Sequence, residues 1–330
     1  VKTAIIGAGS WGTALAALWG RNGRDVVLWG HNPARIERIR DTRENRDYLP
    51  GLILPSSVRI TSAIADCAEA ELVVLATPST ALRDTARQLA EVIAPCDSIF
   101  LSCTKGIEHG SGMRMTEILR ETFPTNKIAV LSGPNLATEV ARGLPTATVI
   151  ACEHEECAAR LQAALGSSRF RIYTSRDVVS IELGGALKNV FAIAAGISDG
   201  LGLGDNAKAA LVIRSLAELV RFGANMGGAA HAFYGLSGAG DLMLTCYSES
   251  SRNHTVGKRL GQGETLAEIR SSMKMVAEGI PTARSAWECA QRLKITTPIT
   301  DQVYSILYKD KKPNIALEEL LNREPKPEYL

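Results

Sequence analysis

The sequence predicts an α/β protein in two parts: a mostly parallel sheet with helices on both faces, followed by an all-α domain. Three observations predict it. Short apolar, β-branched runs alternate with helical stretches through the first half. The runs are apolar throughout rather than at every second position, as in strands covered on both faces. From about Val178 the strand-like runs stop and long Ala/Leu/Gly-rich helical periods take over. A chain of 330 residues has room for both parts, because single cores tend to divide beyond ~250–300 residues. The boundary is expected at 178–182, giving domains of residues 1–180 and 181–330.

In order, strands are expected at Thr3–Ile6, Asp25–Trp29, Leu72–Thr77, Ile99–Cys103, Ile128–Ser132, Ala147–Ala151 and Arg171–Thr174. Between them the helix-like stretches include Thr13–Arg21, Pro33–Thr42, Thr80–Ile93 and Met113–Thr122. The second half reads as helices at Ile181–Ile197, Asp205–Met226, Arg252–Leu260, Thr265–Met273, Ile280–Lys294 and Asp301–Leu307. The polar run Glu324-Pro325-Lys326-Pro327-Glu328 is expected to fray.

Composition excludes several function classes. Hydrophobic residues make up 45% and charged residues 22%, the balance of a soluble globular protein. A net charge of +2 is too small for a nucleic-acid or membrane-surface binder as a whole, so any positive field must be local. The opening Val1-Lys2-Thr3-Ala4-Ile5-Ile6 is too short an apolar run for a signal peptide and flows into a Gly-rich turn. No segment approaches the ~20 uninterrupted apolar residues of a membrane span. The seven cysteines form no CxxC pair, and the nearest two, Cys152 and Cys157, read as ordinary strand and helix positions. Reduced thiols in a cytoplasmic protein are the plain expectation. Five scattered histidines suggest no metal site.

Gly7-Ala8-Gly9-Ser10-Trp11-Gly12 directly follows the first strand and opens a helix. Gly7 permits the tight turn, Gly9 lets the backbone approach a pyrophosphate, and Gly12 lets helix pack on strand. The helix N-terminus adds free N–H donors and the positive end of its dipole. Strand, helix and second strand in register favour a Rossmann-type dinucleotide site over a purely structural glycine turn. After the second strand, a site selective for NAD usually carries Asp or Glu at the ribose 2′-hydroxyl. Here Gly30-His31-Asn32-Pro33-Ala34-Arg35 contains no acid. His31 and Arg35 would accept a 2′-phosphate, so NADP(H) is favoured and NAD(H) remains possible. The alternative is that Arg35 is a solvated helix charge.

Hydride transfer to a ketone needs a proton donor beside the carbonyl. Lys188 is the one charged residue in Leu183–Ser198, and Gly184, Gly185, Ala192 and Ala195 are expected to share its helical face and leave it shallow enough for a ligand. Desolvation and a second cation would lower its pKa toward a useful range; the alternative is a lysine that snorkels to water. Lys105 follows a strand end, where open parallel sheets bind ligands, although loop lysines are often merely solvated. Asp241, Thr245 and Arg252 fall on one face if their segments form a continuous helix, and Asp241 would then orient a catalytic lysine. Arg252 and Asn253, near a helix start capped by Ser250 or Ser251, would grip a phosphate. The alternative is a capped surface helix with an Asp–Arg pair.

Together these residues closely resemble bacterial-type NAD(P)-dependent sn-glycerol-3-phosphate dehydrogenase. The matching stretches are GAGSWGTALA, LATPS, SCTKGIE, LSGPNLATEVARGLPTA, ELGGALKNVFAIAAGISDGLGLGDNAKAAL, GLSGAGDLMLTCYSESSRN and VAEGIPTA, in the family's order across nearly the whole chain. The resemblance implies reversible reduction of dihydroxyacetone phosphate to sn-glycerol 3-phosphate, the glycerophospholipid backbone precursor. It implies a helical domain like the C-terminal domain of 6-phosphogluconate dehydrogenase, and a homodimer, which the Gly/Ala-rich helices also suggest. By the same resemblance Lys188 is the general acid/base, Asp241 orients it, Thr245 supports the pocket, and Lys105 contacts cofactor and substrate. Gly133, Asn189, Ser251, Arg252 and Asn253 complete the substrate site. Ser10, Trp11, His31, Ala137, Arg252, Val276 and Glu278 line the cofactor with the glycine turn. The chain departs from the family in two places: Asn32, where many members are basic, and the pair Asn135-Leu136, where the family reads Thr/Ser-Phe. The first bears on the strength of any NADP preference; the second sits on a backbone-contacting loop, with little effect expected. Two other readings stand beside this one: a related lysine-dependent dehydrogenase of 3-hydroxy or sugar acids, and a nucleotide sensor without turnover. The complete set Lys105, Lys188, Asp241 and Arg252 speaks against the sensor.

Overall fold

The computed structural model describes residues 1–93, 98–273, 277–325 and 327–328. Val276, expected at the cofactor, and Lys326 of the polar tail lie outside the described residues; Glu324, Pro325, Pro327 and Glu328 carry no helix or strand.

The first part is built on β1 (Thr3–Ile6), α1 (Ser10–Arg21), β2 (Val26–Trp29), α2 (Pro33–Thr42), β3 (Val58–Thr61), β4 (Leu72–Leu75), α3 (Leu82–Ala90) and β5 (Ile99–Ser102). It continues through α4 (Met115–Thr122), β6 (Lys127–Ser132), α5 (Ala137–Ala141), β7 (Thr146–Cys152), α6 (Glu155–Leu165) and β8 (Phe170–Ser175). The eight strands lie in the order β3-β2-β1-β4-β5-β6-β7-β8. The first six follow the doubly wound order, whose switch point falls between β1 and β4. Every neighbouring pair is parallel except β6 and β7, which run antiparallel.

Successive β1 residues feed opposite cores. Ile5 packs with Leu15 and Trp19 of α1, Ile36 and Ile39 of α2, and Leu161 of α6. Ala4 and Ile6 pack with Leu82 and Leu89 of α3 and Ile118 of α4. That is why the strands read as apolar runs: neither face meets water. The outermost strand β3 carries an exposed Arg59 and escaped the sequence reading. Asn32 accepts the Arg35 N–H at 2.9 Å and Pro33 occupies the first turn, so α2 starts where expected.

The second part comprises α7 (Val178–Gly200), α8 (Gly204–Asn225), α9 (Asp241–Tyr247), α10 (Arg252–Gly261), α11 (Leu266–Ser272), α12 (Gly279–Leu293), α13 (Pro298–Tyr308) and α14 (Pro313–Leu321). Helix α7 is its axis. Among the described residues it is the one helix long and apolar enough to cross a membrane, and 94% of its apolar 18-residue stretch is buried within the fold. Its first turns also bind the two parts together: Val178 and Ile181 pack on Val130 and Val149 of the sheet. Beside them the buried Glu182 accepts from Arg114 Nη1 at 2.8 Å and from Thr116 Oγ1 at 2.6 Å. In return, Ile107 from the loop after β5 sits in the core of the helical part.

Candidate active site

The glycine turn divides its labour by packing. Gly7 has φ +119°, and a Cβ there would lie 2.6 Å from the Ala76 carbonyl oxygen beyond β4, so the residue needs both a left-handed conformation and close approach. A Cβ on Gly12 would collide with the Gly7 carbonyl. Gly9 is different: a Cβ there would meet nothing within 4 Å. The N-cap residue of α1 is Gly9 itself, which supplies no side-chain cap. An open backbone position at a helix N-terminus and a sheet's switch point suits a dinucleotide pyrophosphate. Ser10 Oγ donates to the Tyr48 carbonyl at 3.1 Å, and the half-buried Trp11 packs beside Leu49 and Ala137, the first residue of α5. His31 is exposed past β2. Arg35 is not a freely solvated charge: its Nε lies 3.3 Å from Asp47 and its Nη1 donates to Tyr48 Oη at 3.2 Å.

Two lysines from different parts of the chain meet at one carboxylate. Thr104 Oγ1 donates to the Thr77 carbonyl at 2.9 Å, tying the loop after β5 to the end of β4 and presenting Lys105. Lys188 comes from the middle of α7. Asp241 arrives through Leu236–Gly240, a π-helical turn ahead of α9. Its Ser237 Oγ donates to the Ile181 carbonyl at 2.5 Å, and Gly184 leaves room for its backbone, so the turn is pressed onto α7 one helical turn before Lys188. Asp241, with no exposed surface, then accepts from Lys188 Nζ on Oδ1 and from Lys105 Nζ on Oδ2, the latter at 2.6 Å. Lys188 Nζ also donates to Thr245 Oγ1 at 2.8 Å, and Thr245 donates on to the Asp241 carbonyl at 2.6 Å.

Burial is the main force pulling the Lys188 ammonium down to about 7; Lys105 acts in the same direction and Asp241 against both. Lys188 is 7% exposed, while the Lys105 side chain retains 22% of its surface. An amine in this range is able both to give and to take a proton near neutrality.

The face around Lys188 is not the shallow one expected. A Cβ on Gly184 would lie 2.7 Å from the Ser237 carbonyl oxygen, one on Gly185 would strike Ser132 Oγ, and Ala192 and Ala195 have no exposed surface. The small residues admit neighbouring protein, and little of Lys188 is reachable. Nor is the run from Asp241 to Arg252 one helix. Helix α9 ends at Tyr247, Ser248 turns extended, and α10 starts afresh at Arg252. No continuous helix therefore sets Arg252 on the face of Asp241 and Thr245.

Ser251, not Ser250, caps α10, accepting the His254 N–H at 3.2 Å. Asn253 is buried: its Nδ2 donates to Asn189 Oδ1 at 2.9 Å and its Oδ1 accepts the Gly279 N–H at 2.8 Å. Arg252 reaches solvent, and burial lowers its pKa while nearby Glu278 and Tyr48 favour its charge. Glu278 accepts Ser79 Oγ at 2.7 Å, across from the loop after β4, and burial raises its carboxyl pKa. Gly133, at the end of β6, is closed off: a Cβ would lie 3.0 Å from Thr148.

Sequence reasoning missed Asn45, Tyr48 and Ser79. Buried Asn45 donates to the Ala8 carbonyl at 3.0 Å and to Thr13 Oγ1 at 2.8 Å, bracing the glycine turn from the α2–β3 loop. That loop has neither helical nor strand periodicity, so only the fold reveals where its side chains point.

Known proteins resemble this chain along its whole length. The family model of the NAD-dependent glycerol-3-phosphate dehydrogenase N-terminus matches residues 2–158, and that of the C-terminus matches residues 177–318. A glycerol-3-phosphate dehydrogenase [NAD(P)+] from Corynebacterium glutamicum (strain R) is 47% identical over 332 residues, covering 99% of this chain and all of the relative. One of the same description from Desulfitobacterium hafniense (strain Y51) is 44% identical, covering 99% and 93%. The crystal structure of glycerol-3-phosphate dehydrogenase from Coxiella burnetii superposes with a TM-score of 0.94 at 36% identity, covering 98% of this chain and 99% of that one.

Proposed function

The chain belongs to the NAD-dependent glycerol-3-phosphate dehydrogenase family, and we propose that it runs the family reaction with Lys188 as proton donor and NADP(H) as preferred cofactor. The reaction is the reversible, NAD(P)H-dependent reduction of dihydroxyacetone phosphate to sn-glycerol 3-phosphate. The observation that carries the reading is the meeting of Lys105 and Lys188 on the buried Asp241.

When bound, the nicotinamide supplies a hydride to C2 of the ketone. The residues of the chain do the rest. Lys188 gives its proton to the oxygen that becomes the C2 hydroxyl, and takes it back in the oxidation direction. Lys105 adds positive charge beside the same oxygen, where a dry site makes it count for more than in water. Asp241 and Thr245 aim the Lys188 ammonium. Ser251, Arg252 and Asn253 hold the substrate phosphate at the start of α10 through the guanidinium and the helix N–H groups; Asn189 fixes the buried Asn253, and Gly133 lets β6 end tightly against Thr148. Gly7, Gly9, Ser10, Trp11 and Gly12 receive the pyrophosphate, with Ala137 and Glu278 completing that side together with Lys105 and Arg252.

The NADP(H) preference rests on the lack of an acid after β2 and on His31 and Arg35 beside that position. Asp47, paired with Arg35, tempers it. Comparing kcat/KM for NADPH and NADH with dihydroxyacetone phosphate tests it. NADPH is expected to lead; a preference for NADH beyond ~100-fold, or ~2.7 kcal/mol, would overturn it. The reverse assay, reduction of NAD(P)+ with glycerol 3-phosphate, 3-hydroxy acids or sugar acids as hydride donor, separates the related dehydrogenases. The cellular role proposed is supply of the glycerophospholipid backbone in the cytoplasm. The division at 180/181 is proposed as the domain boundary, just inside α7. A homodimer is proposed from the resemblance alone, because the Gly/Ala-rich helices are consumed inside the chain.

A further inference from the structure

We propose that His254, joined to Asp199 and Lys208, is a positioning residue that fixes the first turn of α10 against α7 and thereby sets the distance between Lys188 and the turn that grips the substrate phosphate. The proposal rests on the phosphate reading of Ser251, Arg252 and Asn253.

His254 is 4% exposed and follows those three residues directly. Its backbone and one ring nitrogen are tied into the fold. Its N–H donates to Ser251 Oγ, closing the cap of α10. Its Nε2 lies 2.7 Å from Asp199 Oδ2, near the end of α7. Its carbonyl abuts Gly196, where any Cβ would collide with it. Lys208 of α8, 8% exposed, donates to the same Asp199 oxygen at 2.7 Å and stands 4.8 Å over the ring of Tyr247 on α9. One carboxylate therefore joins the helix of Lys188, the helix of Arg252 and, through Lys208, the helix of Asp241 and Thr245. Burial works against the Asp199 charge, but Lys208 and His254 outweigh it and hold the carboxyl below its usual range.

The packing shows what this junction controls. Helices α7 and α10 run side by side in the same direction: Asn189 bonds Asn253, Gly257 abuts the Ile193 carbonyl, and Gly261 abuts Gly200. Glycines on both helices bring the backbones together, but a glycine seam without knobs specifies register weakly. The polar contacts specify it: Asn253 and His254, adjacent in the first turn of α10, reach Asn189 in the middle of α7 and Asp199 near its end. The catalytic amine and the phosphate turn belong to different helices, so their spacing is the register of this pair. A small misplacement there lowers productive binding of a substrate whose ketone and phosphate must be held at once.

The test uses the full-length protein with dihydroxyacetone phosphate and with unphosphorylated dihydroxyacetone. His254→Phe keeps the volume and removes the hydrogen bond. It is expected to raise KM for dihydroxyacetone phosphate about tenfold, with kcat within about twofold and kcat/KM for dihydroxyacetone unchanged. His254→Gln, which keeps a donor, is expected to restore KM to within about twofold of the parent. An unchanged KM in His254→Phe, or equal losses on both ketones, would overturn the proposal. Should His254→Phe fail to fold, His254→Asn carries the same expectation and the same refutation, because its side chain is too short to reach Asp199. Arg252→Ala separates the two readings. If it leaves KM for dihydroxyacetone phosphate unchanged, the phosphate site itself is wrong; if it raises KM while the His254 variants do not, only the positioning role fails.

Discussion

At the scale of residues, the proposed chemistry rests on an ammonium that burial makes weakly basic. Lys188 could be singled out in the sequence because a lone charge within sixteen apolar and small residues demands a partner. Its partners were legible only as candidates, since Asp241 lies 53 positions away and Lys105 comes from the other part of the chain. With Lys188 drawn down to about 7, reduction and oxidation must respond to pH in opposite ways. Reduction needs the protonated amine, so kcat/KM for dihydroxyacetone phosphate should fall as pH rises through about 7, while oxidation of glycerol 3-phosphate should rise. In Asp241→Asn the carboxylate that favours the charged form is gone, so the reduction limb should move to lower pH. A limb that stays in place would show that another group titrates there.

At the scale of elements, periodicity and punctuation carried most of the reading. Thr3–Ile6 and Pro33–Thr42 coincide with β1 and α2, because an apolar run before glycines and a proline at a helix start leave little freedom. Other elements escaped. The edge strand β3 mixes Arg59 into its apolar residues, and α6 presents its core through Cys157 and Ala158 as much as through Leu161 and Leu165. The break at Ser248 between α9 and α10 carries neither proline nor glycine to announce it. The glycine turn makes a sharper prediction, because its three glycines do different work. Gly12→Ala must displace the Gly7 carbonyl, and such overpacking should cost about 1–3 kcal/mol, read as a lower denaturant midpoint. Gly9→Ala meets nothing within 4 Å in the protein itself, so its midpoint should hold while cofactor affinity falls. Equal stability losses in both variants would contradict that division.

At the scale of the whole molecule, the site exists because two separately built cores are pressed together along α7. The sheet delivers the glycine turn, Ser79 and Lys105 at the ends of its strands; the helices deliver Lys188, Asp241, Thr245, Arg252 and Glu278. Ile107 in the helical core and Glu182 against Arg114 tie the parts together on either side of the lysines. A two-part architecture was legible from the change of pattern near Val178, but the joint was not, since no local period encodes contacts between residues 68 and 136 positions apart. What that joint achieves for chemistry comes down to Lys188, and the most direct test is turnover of Lys188→Ala with dihydroxyacetone phosphate and NADPH, measured alongside the NADPH dissociation constant. In that variant kcat is expected to fall by about 10²–10⁴, the usual range for a lost general acid, while cofactor affinity changes little; turnover close to that of the unaltered enzyme would remove Lys188 from the mechanism.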